Sequence, residues 1–120
     1  MYSKFLLVFI GGGIGSVLRF LINHLLNFTS MTQVSTLLVN ISGSFLFGVA
    51  YSIVAKNSLL SLFLLTGLLG GFTTYSQFTF DLIELNKYSQ LTTLGYFFGT
   101  VVLSIFAALL GIYIGSRVVN

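Results

Sequence analysis

Four long apolar stretches, Phe5–Leu26, Val34–Ala55, Leu59–Leu85 and Leu91–Ile114, alternate with short links at Asn27–Met31, Lys56–Ser58 and Asn86–Gln90. A membrane-spanning helix needs roughly 20 mainly apolar residues, so each stretch predicts one span. The links are too short to hold a domain. The pattern therefore predicts an all-α integral membrane protein, a single domain over residues 1–120 with four transmembrane helices and no soluble module to carry an enzyme.

The third stretch breaks its own pattern. After the apolar run Leu59–Leu69, the glycine pair Gly70-Gly71 meets a cluster of hydroxyl and amide side chains at Thr73, Thr74, Tyr75, Ser76 and Gln77. A helix facing only lipid has no use for this. Backbone at membrane depth leaves the helical path only where protein or a polar cavity covers it, because an unpaired amide in hydrocarbon costs several kcal/mol. A broken or loosened third helix beside a polar path is expected, and a transport function with it.

Composition narrows the class. Of 120 residues 56% are hydrophobic and 6% charged, against about 25% charged in soluble domains. There is no cysteine and no proline, so thiol chemistry is excluded and any helix break must come from glycine and hydroxyl residues. The net charge of +3 sits on isolated Lys and Arg residues, which excludes a nucleic-acid patch. One histidine, His24, without a ligand cluster offers no metal site of the usual kind.

Several polar residues within the spans have both a structural and a functional reading. Gly11/Gly15, Gly67/Gly71, Gly95/Gly99 and Gly111/Gly115 are small-xxx-small pairs, so most helices should pack closely on others. Arg19, two thirds through the first span, either snorkels to the interface or lines an electropositive vestibule. Asn40 in the second span either hydrogen-bonds another helix or donates into a pore. Thr100 and Ser104, four apart on one face of the fourth span, either bond back to their own helix or form a polar track. Tyr75 and Phe78 point roughly the same way, and aromatic ring edges are positive enough to hold a small dehydrating anion. The two acids, Asp81 and Glu84, lie near a membrane boundary, where neither reads as a mid-bilayer proton relay.

These residues together carry a resemblance. Gly12-x-x-Gly15-x-x-x-Arg19, Thr36-Leu37-Leu38-Val39-Asn40-x-x-Gly43 and Thr66-Gly67-x-x-Gly70-Gly71-Phe72-Thr73-Thr74-Tyr75-Ser76-x-Phe78 are similar to the Fluc (CrcB-type) fluoride channels over essentially the whole chain. The resemblance implies a passive, fluoride-selective channel in the plasma membrane that exports cytoplasmic fluoride and relieves its toxicity. It implies two subunits inserted antiparallel, two pores, and a structural sodium ion at the dimer interface. By matching position, Asn40, Tyr75, Ser76, Phe78, Thr100 and Ser104 would line the fluoride pore, Arg19 would face the vestibule, and the backbone carbonyls of Gly70 and Thr73 would hold sodium. Two positions depart from the family: Tyr75 replaces a phenylalanine and Gln77 a small hydroxyl residue. Tyr75 leaves open a homodimer or a heterodimer with a paralogous subunit.

The positive charges near the span ends are almost balanced, Lys4, Lys56 and Arg117 on one side and Lys87 on the other, which permits insertion both ways. A small multidrug-type proton-coupled exporter shares the four-helix layout, but it needs an acid deep in the first helix and none is there. A non-transporting assembly subunit would leave the polar cluster from Asn40 to Phe78 without a role.

Overall fold

In hydrocarbon a single segment satisfies its backbone by closing helical bonds within itself, and the apolar stretches do so along most of their length. The computed structural model describes residues 1–26 and 32–119, so the link read at Asn27–Met31 lies outside the described residues. The first two spans are continuous helices, α1 (Tyr2–Leu26) and α2 (Thr32–Val54). The third, Ser58–Asn86, is composite: α3 (Ser58–Ser61), a π-helical segment (Leu62–Leu69), α4 (Gly70–Phe72) and α5 (Tyr75–Asn86). The fourth is α6 (Gln90–Val119). All four spans are long and apolar enough to cross a membrane, and the described residues hold no strand.

Glycine sets the packing. The helices form two close pairs, α1 along the π-helical segment and α4, and α2 along α6. A Cβ on Gly15 would strike the carbonyl of Leu68, and one on Gly71 would lie 2.5 Å from the carbonyl of Gly12. In the second pair, a Cβ on Gly48 would strike Ala108 O and one on Gly111 would strike Phe45 O. With no hydrophobic drive between helices in lipid, backbone approach of this kind supplies the van der Waals contact that joins them. Three of the four small-residue pairs are used in this way. The fourth is not, since a Cβ on Gly95 or Gly99 would meet nothing within 4 Å.

Val54, Leu65 and Leu69 form the apolar core between α2 and the third span, while Phe9, Phe20, Phe106 and many other large apolar side chains face outward. The π-helical segment loosens the third span ahead of its polar cluster. Gly70 N–H reaches Leu65 O, five residues back, and runs of this geometry are rare and concentrate at functional sites. Its composition, LFLLTGLL, carries no sign of it.

A candidate anion path beside the helix break

The break falls at Thr73 and Thr74, just after the glycine pair. Gly70 and Gly71 stay helical, and Gly71 serves the close approach to Gly12. Thr73 ends α4 by directing both its N–H (3.1 Å) and its hydroxyl (3.0 Å) at Leu69 O. Its ψ of 160° then turns the chain outward, and Thr74 follows with φ −145° and ψ 121°. Thr74 also caps α5, its hydroxyl accepting the Gln77 N–H at 3.2 Å.

An extended residue presents its N–H and C=O to the same side, as in a hydrogen-bonded strand pair. One primary amide can therefore serve both. Asn40 on α2 does so: Thr74 N–H donates to Asn40 Oδ1 at 2.8 Å, and Asn40 Nδ2 donates to Thr74 O at 2.9 Å. Gly43, one turn further along α2, makes room, since a Cβ there would strike the Thr73 methyl group. Both sequence readings of Asn40 remain compatible, because the amide keeps one further N–H after the clamp is made.

The clamp frees carbonyls. Thr74 N–H no longer closes on Gly70 O, and Gln77 N–H goes to the Thr74 hydroxyl in place of Thr73 O. Gly71 O, which would accept from Tyr75, instead accepts from Arg19 Nε at 3.2 Å. Gly70 is exposed and Thr73 half-buried. Among the described residues no three His, Cys, Asp or Glu side chains cluster to hold a metal, so a hard cation here would rely on such carbonyls. Gly70 and Thr73 fit that requirement.

Beside the break lies a cavity of about 440 Å³ between α2, α5 and α6. It brings together five of the six expected pore residues: Asn40, Tyr75, Phe78, Thr100 and Ser104. Ser76 is not in its wall, being exposed with its hydroxyl 3.4 Å from that of Thr74. Arg19 lies at Gly71, outside the cavity lining. Ser44, four residues after Asn40, joins the wall, and its hydroxyl has no hydrogen-bond partner among the described residues. The i, i+4 spacing from Asn40 was the available signal for it.

Thr100 and Ser104 answer the question their spacing posed. Ser35, Thr36, Ser42, Ser52, Thr73, Thr79 and Thr93 all direct their hydroxyls at carbonyls of their own helix or the turn before it. Thr100 Oγ1 and Ser104 Oγ do not. Both oxygens are buried without a partner while their residues line the cavity. A buried hydroxyl left unpaired costs about 1–3 kcal/mol, so these two oxygens are a local cost within the single chain.

Two aromatic rings, Tyr75 and Phe78, form part of the cavity wall. Phe78 is buried, with ring centroids 6.2 Å from Tyr75, 5.4 Å from Tyr96 and 6.1 Å from Phe97. Tyr75 is 81% exposed although it lines the cavity, so one chain leaves that side open. The N-terminus of α5 starts at the same place, and its first N–H groups have no intrahelical acceptor and favour negative charge.

Asp81, one turn beyond Phe78, is 1% exposed. Its carboxylate accepts from Gln77 Nε2 at 2.9 Å and from Tyr96 OH at 2.9 Å. Gln77, one of the two departures from the family pattern, thus has a defined partner. The i, i+4 spacing of Gln77 and Asp81 was legible beforehand, whereas the reach of Tyr96 from α6 was not.

Comparison with known proteins gives the chain a family. The family model "CrcB-like protein, Camphor Resistance (CrcB)" matches residues 6–112. A protein of Gloeothece citriformis named "Fluoride-specific ion channel FluC" is 38% identical over 120 residues, covering 95% of this chain and 98% of its own. One of the same name from Paracoccus denitrificans is 40% identical over 119 residues, covering 96% of each. "Fluoride-specific ion channel FluC 2" of Bacillus subtilis is 38% identical over 114 residues, covering 92% of this chain and 86% of its own. With the match running through α1, the break and α6, this chain belongs to the CrcB family.

Proposed function

We propose that the chain is the subunit of a passive, fluoride-selective channel that releases cytoplasmic fluoride across the cell membrane. The observation that carries this reading is the pair of buried, partnerless hydroxyls of Thr100 and Ser104 in the cavity wall. A small anion gives up its water only where donors replace it. The two hydroxyls, the spare N–H of Asn40 and the ring edges of Tyr75 and Phe78 supply such donors without a fixed positive charge that would trap the ion. Ser76, at the start of α5 with its hydroxyl 3.4 Å from that of Thr74, would join this row. The outer nitrogens of Arg19 give the vestibule its positive character. No coupled proton is needed, because a negative cell interior drives the anion outward.

The functional unit in this proposal is an antiparallel dimer, of two copies or of this chain with a paralogous subunit. Two features support it: Tyr75 needs a cover that one chain does not provide, and the Gly95/Gly99 face of α6 is unused within the chain. Sodium at the Gly70 and Thr73 carbonyls would neutralise the oxygens that the break frees and fix them at the interface. The test is growth on fluoride at mildly acid pH of a bacterium stripped of its own exporter. Tolerance restored by this chain is expected, and continued sensitivity with the chain present in the membrane would count against the proposal.

A further inference from the structure

The break has two ends, and a side chain from a different span holds each. Asn40 of α2 takes the peptide groups of Thr74, and Arg19 of α1 takes the carbonyl of Gly71. Gly71 O has lost the N–H of Tyr75 to the break, so the arginine acts as a C-terminal cap on α4. Its footing is firm: α1 touches the π-helical segment and α4 through backbone at Gly11, Gly12 and Gly15, and Arg19 stands one turn beyond Gly15. Among the described residues the guanidinium is paired with no carboxylate, the one ion pair being Lys87–Glu84.

We infer that Arg19 is a positioning residue for the pore: its Nε–H fixes the end of α4, and through the three residues that follow fixes the Asn40–Thr74 clamp from which Tyr75 and Phe78 project. This rests on the proposed channel and assigns Arg19 a task beyond lending charge to a vestibule. The two roles separate chemically. Glutamine places an amide nitrogen the same number of bonds from Cα as arginine Nε, keeping the donor and dropping the charge. Methionine places a methyl group there and keeps neither.

The experiment compares R19Q and R19M with the unaltered chain in liposomes, reading fluoride efflux, the Gly71 carbonyl ¹³C shift and hydrogen exchange at the Thr74 amide. R19M is expected to shift the Gly71 carbonyl, speed Thr74 exchange and slow efflux by about tenfold, the scale of one lost charge-assisted hydrogen bond. R19Q is expected to keep the Gly71 carbonyl shift and the Thr74 exchange rate of the unaltered chain, with efflux reduced by less than in R19M. Equal loss of efflux in both variants with Thr74 exchange unmoved would assign Arg19 to charge alone and overturn the inference. So would an R19M chain identical to the original. If the unaltered chain releases no fluoride, the proposed function fails, while the carbonyl shift and the exchange rate still decide the cap.

Discussion

Asn40 and Thr74 meet through both polar atoms of the asparagine amide, at 2.8 and 2.9 Å, and this one contact reconciles a broken helix with a membrane interior. The asparagine stands in for the peptide group that the break removes.

Replacing Asn40 by Asp tests that contact. A carboxylate still accepts from Thr74 N–H but cannot donate to Thr74 O, and it brings a negative charge to the cavity wall. The expected result is destabilisation by about 1–3 kcal/mol, the cost of a buried carbonyl without a donor, together with loss of fluoride efflux. Thermal unfolding in detergent and liposome flux read the two effects.

Thr100 and Ser104 should behave in the opposite sense for stability. Their hydroxyls make no bond in the folded chain, so T100V and S104A are expected to leave the melting temperature unchanged or raised while efflux falls. Ser52 is the control. Its hydroxyl lies 3.2 Å from Gly48 O and 3.1 Å from Ile112 O, so S52A should lose about 1 kcal/mol of stability with conduction retained.

The carboxylate of Asp81 offers a third test. Y96F removes one of its two donors and leaves a nearly fully buried acid half-satisfied. Destabilisation by about 1–3 kcal/mol is expected, with no comparable effect from Y113F, where the exposed hydroxyl bonds Arg117 at 3.2 Å. Unfolding midpoints of the two variants decide it.

Glycine positions divide in the same way. G15A would drive a methyl group into Leu68 O and should prevent the close approach of α1, whereas G99A meets open space within the chain. G15A is expected to fail in folding. G99A should fold normally and weaken subunit association, as read by cross-linking in membranes.

Much of this was legible in the sequence, for identifiable reasons. Span number and order follow from hydropathy, and the break was signalled by hydroxyl and amide residues that lipid would not tolerate. The exact site was not: glycine and hydroxyl residues together marked the stretch from Gly70 to Gln77, within which Gly71 packs against Gly12 and the backbone opens at Thr73 and Thr74, whose side chains bond at both ends of the break. Asn40, Phe78, Thr100 and Ser104 could be placed on helix faces by their spacing. Ser44 was missed because a serine among glycines on a packing face reads as a small residue, and the Asp81–Tyr96 contact joins positions fifteen apart on two helices. The π-helical segment includes Gly67, which seats against Gly11 of α1, a tertiary match that Leu62–Leu69 alone does not encode.

The most direct test of the central claim is efflux from liposomes containing only this purified chain, followed with fluoride- and chloride-selective electrodes under a potassium–valinomycin potential. Rapid fluoride release without chloride release is the expected result. Chloride release alongside fluoride, or no fluoride release from demonstrably folded protein, would contradict it.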